Sequence, residues 1–166
     1  YFLTSSSSPG KRVTNAVEQA GPANYFSSAS DALFIHEKES ENLIQSGREW
    51  YQPASSLQGT VINPLFTDLD TGEEVSYFIR VAARAPASTQ FRLSEGAETR
   101  EIINIPPVNM TNYTGTYAQI TDSAGSALPF SSSPVYELKF FNNGDAGAKG
   151  WIDFVILQAR KHNIFN

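Results

Sequence analysis

Cysteine is absent from this 166-residue chain and histidine occurs only twice, which excludes disulfides, thiol nucleophiles and Cys/His metal centres together. A hydroxyl nucleophile needs a base and an orienting group beside it. The serines are plentiful, but the only imidazoles are His36, which ends a strand-like run next to Glu37, and His162, in the basic stretch Arg160-Lys161-His162. Both read as surface or linker histidines. No catalytic residue, metal site or cofactor is therefore expected. Positive charge is scarce as well: 12 Lys and Arg face 17 Asp and Glu, a formal net charge of -5. Such a surface repels polyanions, so nucleic acid is not an expected partner. Long apolar runs are missing too. Phe154 to Leu157 is representative, far short of the ~20 residues of a membrane-spanning helix, and no transmembrane segment is expected. The lack of cysteine does not decide the compartment, because many envelope proteins also have none.

What is present favours strands. Aromatics make up 12% of the residues, Ser, Thr and Asn are plentiful, and the helix formers Leu, Lys, Glu and Met are thin, a balance that predicts an all-β protein. The length suits one domain over 1–166 with a single ample core. Tyr1-Phe2-Leu3-Thr4 is β-prone and stops at the loop Ser5-Ser6-Ser7-Ser8-Pro9-Gly10; from Lys11 to Ser30 the pattern is poor. The opening inside a strand-like run, without Met or a signal segment, predicts a piece of something longer.

Further on, Ala32-Leu33-Phe34-Ile35 reads as a strand, and the charged stretch Glu37 to Ile44 is where any helical turn belongs. A break at Pro53 precedes a strand near Gly59 to Ile62. The clearest period of two places Val75, Tyr77, Ile79, Val81 and Ala83 on one face and Ser76, Arg80 and Arg84 on the other. Phe91 and Leu93, then Ile102, Ile103 and Ile105, suggest a hairpin around Glu95-Gly96; Tyr113 to Thr121 alternates weakly; Tyr136, Leu138 and Phe140 alternate sharply. The last strand, Trp151 to Arg160, is apolar on both faces: Ile152, Phe154 and Ile156 against Trp151, Val155 and Leu157. That marks a central strand. Eight or nine strands with regular turn signals predict an antiparallel β-sandwich with little helix, jelly-roll-like in preference to immunoglobulin-like.

Other clusters could carry chemistry. Thr67-Asp68-Leu69-Asp70-Thr71-Gly72-Glu73-Glu74 gathers carboxylates at a bend, but the calcium-loop spacing is not completed, and a solvated acidic turn is the simpler reading. Nothing sets two carboxylates across a cleft for glycoside hydrolysis. Trp50, Tyr51, Trp151, Tyr113 and Tyr117 could form a sugar platform, although aromatics in a sandwich are mostly core. Asn109 and Asn112 head glycosylation-like triplets, and Asp122-Ser123-Ala124 looks like an O-glycosylation sequon.

Two stretches carry a resemblance. Leu33 to Tyr51, and above all Ser46-Gly47-Arg48-Glu49-Trp50-Tyr51, resembles the "SGREWYG" region of the PorU family, gingipain-like sortases of the Bacteroidetes type IX secretion system. Gly150-Trp151-Ile152-Asp153-Phe154-Val155, followed by Ala159-Arg160-Lys161, is similar to the "GWLDYI … RR" strand closing that region. This chain departs from the family at Gln52-Pro53, where Gly and an acidic residue usually follow, and at His36, where Tyr usually precedes the glutamate. The resemblance implies a non-catalytic N-terminal sandwich of an extracytoplasmic, outer-membrane-associated cysteine peptidase whose catalytic His and Cys lie in a later domain. Gly47, Arg48, Glu49, Trp50 and Tyr51 are then structural or interface residues: Gly47 for a bend, Arg48 for holding a carboxylate, Trp50 and Tyr51 for closing one edge of the core. The implied partners are neighbouring domains of the same polypeptide and other secretion-system proteins. A carbohydrate-binding module is the alternative.

Overall fold

The computed structural model describes residues 27–43, 48–112 and 114–163. The expected opening strand and the segment up to Phe26, together with Gly47 and Tyr113, lie outside them. Nine strands form among the described residues: β1 (Ala29–Glu37), β2 (Gln52–Ala54), β3 (Thr60–Ile62), β4 (Val75–Arg84), β5 (Thr89–Glu95), β6 (Glu98–Ile105), β7 (Gln119–Ala127), β8 (Tyr136–Phe141) and β9 (Lys149–His162). One sheet has the order β1-β9-β4-β7, with β2 also on β9; the other has the order β3-β8-β5-β6. Every pairing is antiparallel.

Setting aside the short β2, the chain changes sheet at each step except the β5–β6 hairpin. This is the paired Greek key of a jelly roll. An immunoglobulin sandwich keeps its first two strands in one sheet, and here β1 and β3 lie in different sheets.

The inter-sheet core follows the alternation of the strands. Val75, Tyr77, Ile79, Val81 and Ala83 of β4 meet Phe91 and Leu93 of β5, Tyr136, Leu138 and Phe140 of β8, and Val155 and Leu157 of β9. Phe91 and Phe140 lie with ring centroids 5.1 Å apart. Gly150 permits this packing, because a Cβ there would sit 2.6 Å from the Phe140 ring.

The facing of β9 differs from strict alternation. Arg80 pairs with Phe154 and Val81 with Ile152, so Asp153 is an extra residue in a β-bulge. A bulge reverses which side chains point inward beyond it. Ile152, Val155 and Leu157 consequently enter the core, while Trp151, Phe154 and Ile156 are left on the outer face.

Residues 38–43 form no helix. β1 runs on through Glu37, and Glu41 instead bridges Tyr51, its N–H donating to the Tyr51 carbonyl at 2.9 Å and the Tyr51 N–H returning to the Glu41 carbonyl at 2.8 Å. A helix this short is marginal in water, and the bridge satisfies the same backbone groups. Pro53 also does not end the pairing, since it sits in an edge strand, where a missing N–H is tolerated.

The second sheet is tied to the chain crossing its rim by a buried ion pair. Arg100 donates to Glu95 from Nε at 3.1 Å and from Nη2 at 2.7 Å, while the Phe130 N–H donates to the other Glu95 oxygen at 2.8 Å. The Arg100 guanidinium also lies 3.9 Å above the Phe130 ring.

Candidate functional site

The outer face of the β1-β9-β4-β7 sheet can be built row by row from the strand register. One row runs Ile35–Ile156–Phe78–Ala124 and is wholly apolar. It is also open: Ile35 is 53% and Phe78 36% exposed, and Leu33, on the same face of β1, is 64% exposed. The next row is Glu37–Phe154–Arg80–Asp122. Phe78 and Phe154 link the two rows, with ring centroids 5.4 Å apart. Arg80 donates to Asp122 from Nε at 2.6 Å and from Nη2 at 3.0 Å, and its Nη1 lies 4.0 Å from Asp153.

The third row, Pro53–Trp151–Ala82–Ile120, is covered at its centre, where Trp151 and Ala82 are buried, while Pro53 and Ile120 at its ends are exposed. Tyr51 packs there with Trp151 and Ala82 as a second, smaller core, flanked by Leu43 and Ala118. The Glu41 bridge clamps the backbone, and Trp151 Nε1 donates to Glu41 Oε2 at 3.1 Å. The Tyr51 hydroxyl donates to Glu49 Oε2 at 3.2 Å. Burial, with the nearby Glu49 and Asp153 charges, pushes that hydroxyl far above the usual tyrosine range, so it stays a donor. Burial also raises the Asp153 carboxyl against the opposing pull of Arg80. Asp122 is lowered by its hydrogen bonds from Arg80.

Beside Tyr51 lies a cavity of about 340 Å³ lined by Leu43, Glu49, Tyr51, Tyr117, Ala118 and Ile120, together with Gly115 and Thr116. Arg84 holds Tyr117: its Nη1 donates to the Tyr117 carbonyl at 2.5 Å and its guanidinium lies 4.3 Å over the Tyr117 ring.

Tyr51 of the motif thus packs on the outer face of the sheet rather than at an edge of the inter-sheet core, and Gly47 lies outside the described residues. Tyr51 is buried, but Trp50 is 41% exposed, and Arg48 and Glu49 are exposed. The chain leaves the bridge immediately before Tyr51, so the preceding side chains face water. Tyr117 is 37% exposed and Trp151 is buried. His36 hydrogen-bonds Gln52 Oε1 at 2.8 Å, joining β1 to β2, and His162 lies 3.7 Å from Asp70. Asp70 Oδ1 accepts the Gly72 N–H at 3.0 Å, which closes the acidic turn on itself. Asn109 and Asn112 likewise accept from Thr111 and Thr114. The Ser123 hydroxyl donates to Glu101 at 2.9 Å. Sequence reasoning missed the Arg80–Asp122–Asp153 cluster and the open apolar row; the signal for the row was the second apolar face of the last strand.

Fold and face together define a jelly-roll sandwich that carries a second, partly covered apolar layer outside its core. No protein-family model and no curated protein matches the chain. Among solved structures, dimeric latent PorU from Porphyromonas gingivalis is similar to it with a TM-score of 0.61 and 14% identity. The match covers 85% of this chain and 14% of that one. The chain therefore spans a small part of that protein's length, and the likeness is one of fold.

Proposed function

We propose that this chain is a non-catalytic accessory domain of a cell-surface, gingipain-like cysteine peptidase or sortase, where it positions the catalytic domain or its substrate. The observation that carries the reading is the open apolar row of Ile35, Ile156 and Phe78 on the same sheet face that Tyr51 covers. A contiguous apolar patch on a sheet face is the usual mark of an interaction surface. Its occupant in this reading is another domain of the same polypeptide. The fold likeness to a fragment of PorU supports that choice, because a domain covering 14% of such a chain has many neighbours to pack against. An extracytoplasmic location belongs to the same proposal, as does the absence of catalysis within this chain.

The test has two arms. The complete open reading frame is expected to encode a His- and Cys-bearing peptidase unit, and the 166-residue chain is expected to bind that unit in calorimetry. The double substitution Ile35→Lys, Phe78→Lys should weaken binding at least tenfold, in line with losing central apolar contacts. A reading frame with no peptidase unit, or binding indifferent to the double substitution, would overturn the proposal. The carbohydrate-binding alternative keeps one supporting feature, the exposure of Trp50 and Tyr117. Saturable binding on a glycan array, abolished by Trp50→Ala, would favour it instead.

A further inference from the structure

We propose that the cavity between Tyr51 and Tyr117 is a receptor for the basic side chain, lysine or arginine, of a polypeptide segment docking on this face.

The shape and the charge of the cavity both point that way. Its walls are the apolar Leu43, Ala118 and Ile120 with the rings of Tyr51 and Tyr117, and among the described residues its one charged lining residue is Glu49. A long basic side chain has the complementary form: an aliphatic stem that packs on apolar walls and a cationic head that needs an acceptor. The volume of about 340 Å³ is ample for one such side chain. The Glu49 carboxylate is held in place, because Tyr51 donates to its Oε2 and the Asn42 side chain donates to the Glu49 carbonyl at 3.0 Å.

Neighbouring cations are committed elsewhere. Arg84 is used on the carbonyl and ring of Tyr117, and Arg80 is used on Asp122 and Asp153. Among the described residues no Lys or Arg forms an ion pair with Glu49. An arriving cation would meet a carboxylate already positioned by Tyr51, and a charge-assisted hydrogen bond to it is stronger than a neutral one. An anion would meet Glu49, with Asp153 behind Tyr51, and be repelled.

This inference deepens the docking proposal by naming what the partner inserts, yet its test needs no partner. The probes are Nα-acetyl-lysine methylamide and its uncharged counterpart Nα-acetyl-norleucine methylamide, titrated into the 166-residue chain with amide chemical shifts as the readout. The lysine probe is expected to saturate, with shifts confined to Glu49, Tyr51 and Tyr117 to Ile120, and to bind about tenfold more tightly than norleucine. Glu49→Gln should remove that preference while leaving the melting temperature unchanged, since Glu49 is exposed. Raising the salt concentration should weaken lysine binding and leave norleucine binding alone. Equal binding of the two probes, no saturation by either, or lysine binding that survives Glu49→Gln would each overturn the receptor. If the receptor fails while Ile35→Lys, Phe78→Lys still disrupts docking, the accessory-domain reading stands without it.

Discussion

Replacing Tyr51 by alanine probes whether the motif layer belongs to the cooperative fold or merely rests on it. Tyr51 is 1% exposed and packs on Trp151, Ala82, Leu43 and Ala118. A buried aromatic removes roughly 150–250 Å² from water, which at about 25 cal/mol per Å² is about 4–6 kcal/mol as an upper bound. A compact unfolded chain lowers that by about a quarter. The space left would open into the neighbouring cavity and fill with water, so no closed-void term adds to it. The expected loss is about 3 kcal/mol, or about 10 °C in melting temperature for a domain of this size. Urea unfolding followed by tryptophan fluorescence reads the change directly, because Trp50 and Trp151 both lie near the substitution. Tyr51→Phe, which keeps the ring and loses only the hydrogen bond to Glu49, should cost under about 1 kcal/mol. A loss below about 1 kcal/mol for Tyr51→Ala would refute the packing argument, and two separate transitions would show a layer that melts on its own.

Other substitutions test other parts of the structure. Glu95→Gln leaves the partly buried Arg100 without its anion and should cost about 1–3 kcal/mol, readable as a lower urea midpoint with an unchanged slope. Gly150→Ala drives a Cβ into the Phe140 ring and should cost about 1–3 kcal/mol in the same assay. For Asp153 the folded-state carboxyl is raised chiefly by burial, so the folded protein binds this proton more tightly than the unfolded chain does. Its contribution to stability therefore improves as the pH falls through the mildly acidic range above the ordinary carboxylate value. Asp153→Asn should stabilise the protein at pH 7 and flatten that part of the profile. Asp122 has the opposite sign: its lowered carboxyl contributes stability at neutral pH that is lost in acid, and as an exposed pair Asp122→Asn should cost under about 1 kcal/mol.

Much of this fold is legible in the residues, and the exceptions have physical causes. β8 alternates strictly because one face meets the core and the other does not, and β4 does the same up to Val81, beyond which Ala82 on its outer face is buried under Tyr51; the limits and core facing of both follow from the pattern. β7 is nearly unreadable: Gln119–Ala127 is Ser-, Gly- and Ala-rich, and its Gly125 accommodates the Tyr77 ring where a larger side chain would clash. The facing of β9 is hidden by the bulge at Asp153, which no periodicity of two can announce. The charged stretch after Glu37 has helical composition, yet a pairing with Tyr51 decides its conformation, and such non-local pairing leaves no local signature. For the candidate site, the residues of the motif are visible in sequence but their place is not. Two apolar faces on one strand indicate two covers without showing that the second cover reaches only as far as Trp151 and leaves Ile156 half-open.

The central claim is that the outer face of the β1-β9-β4-β7 sheet docks another part of the same polypeptide. A photo-crosslinking amino acid placed at Phe78 in the complete product of the gene tests it, with Ile102, an apolar residue at least as exposed on the opposite sheet, as the control position. Mass spectrometry should find an intramolecular crosslink from position 78 to a segment outside these 166 residues and none from position 102. Crosslinks from both positions alike, or from neither, would contradict the account.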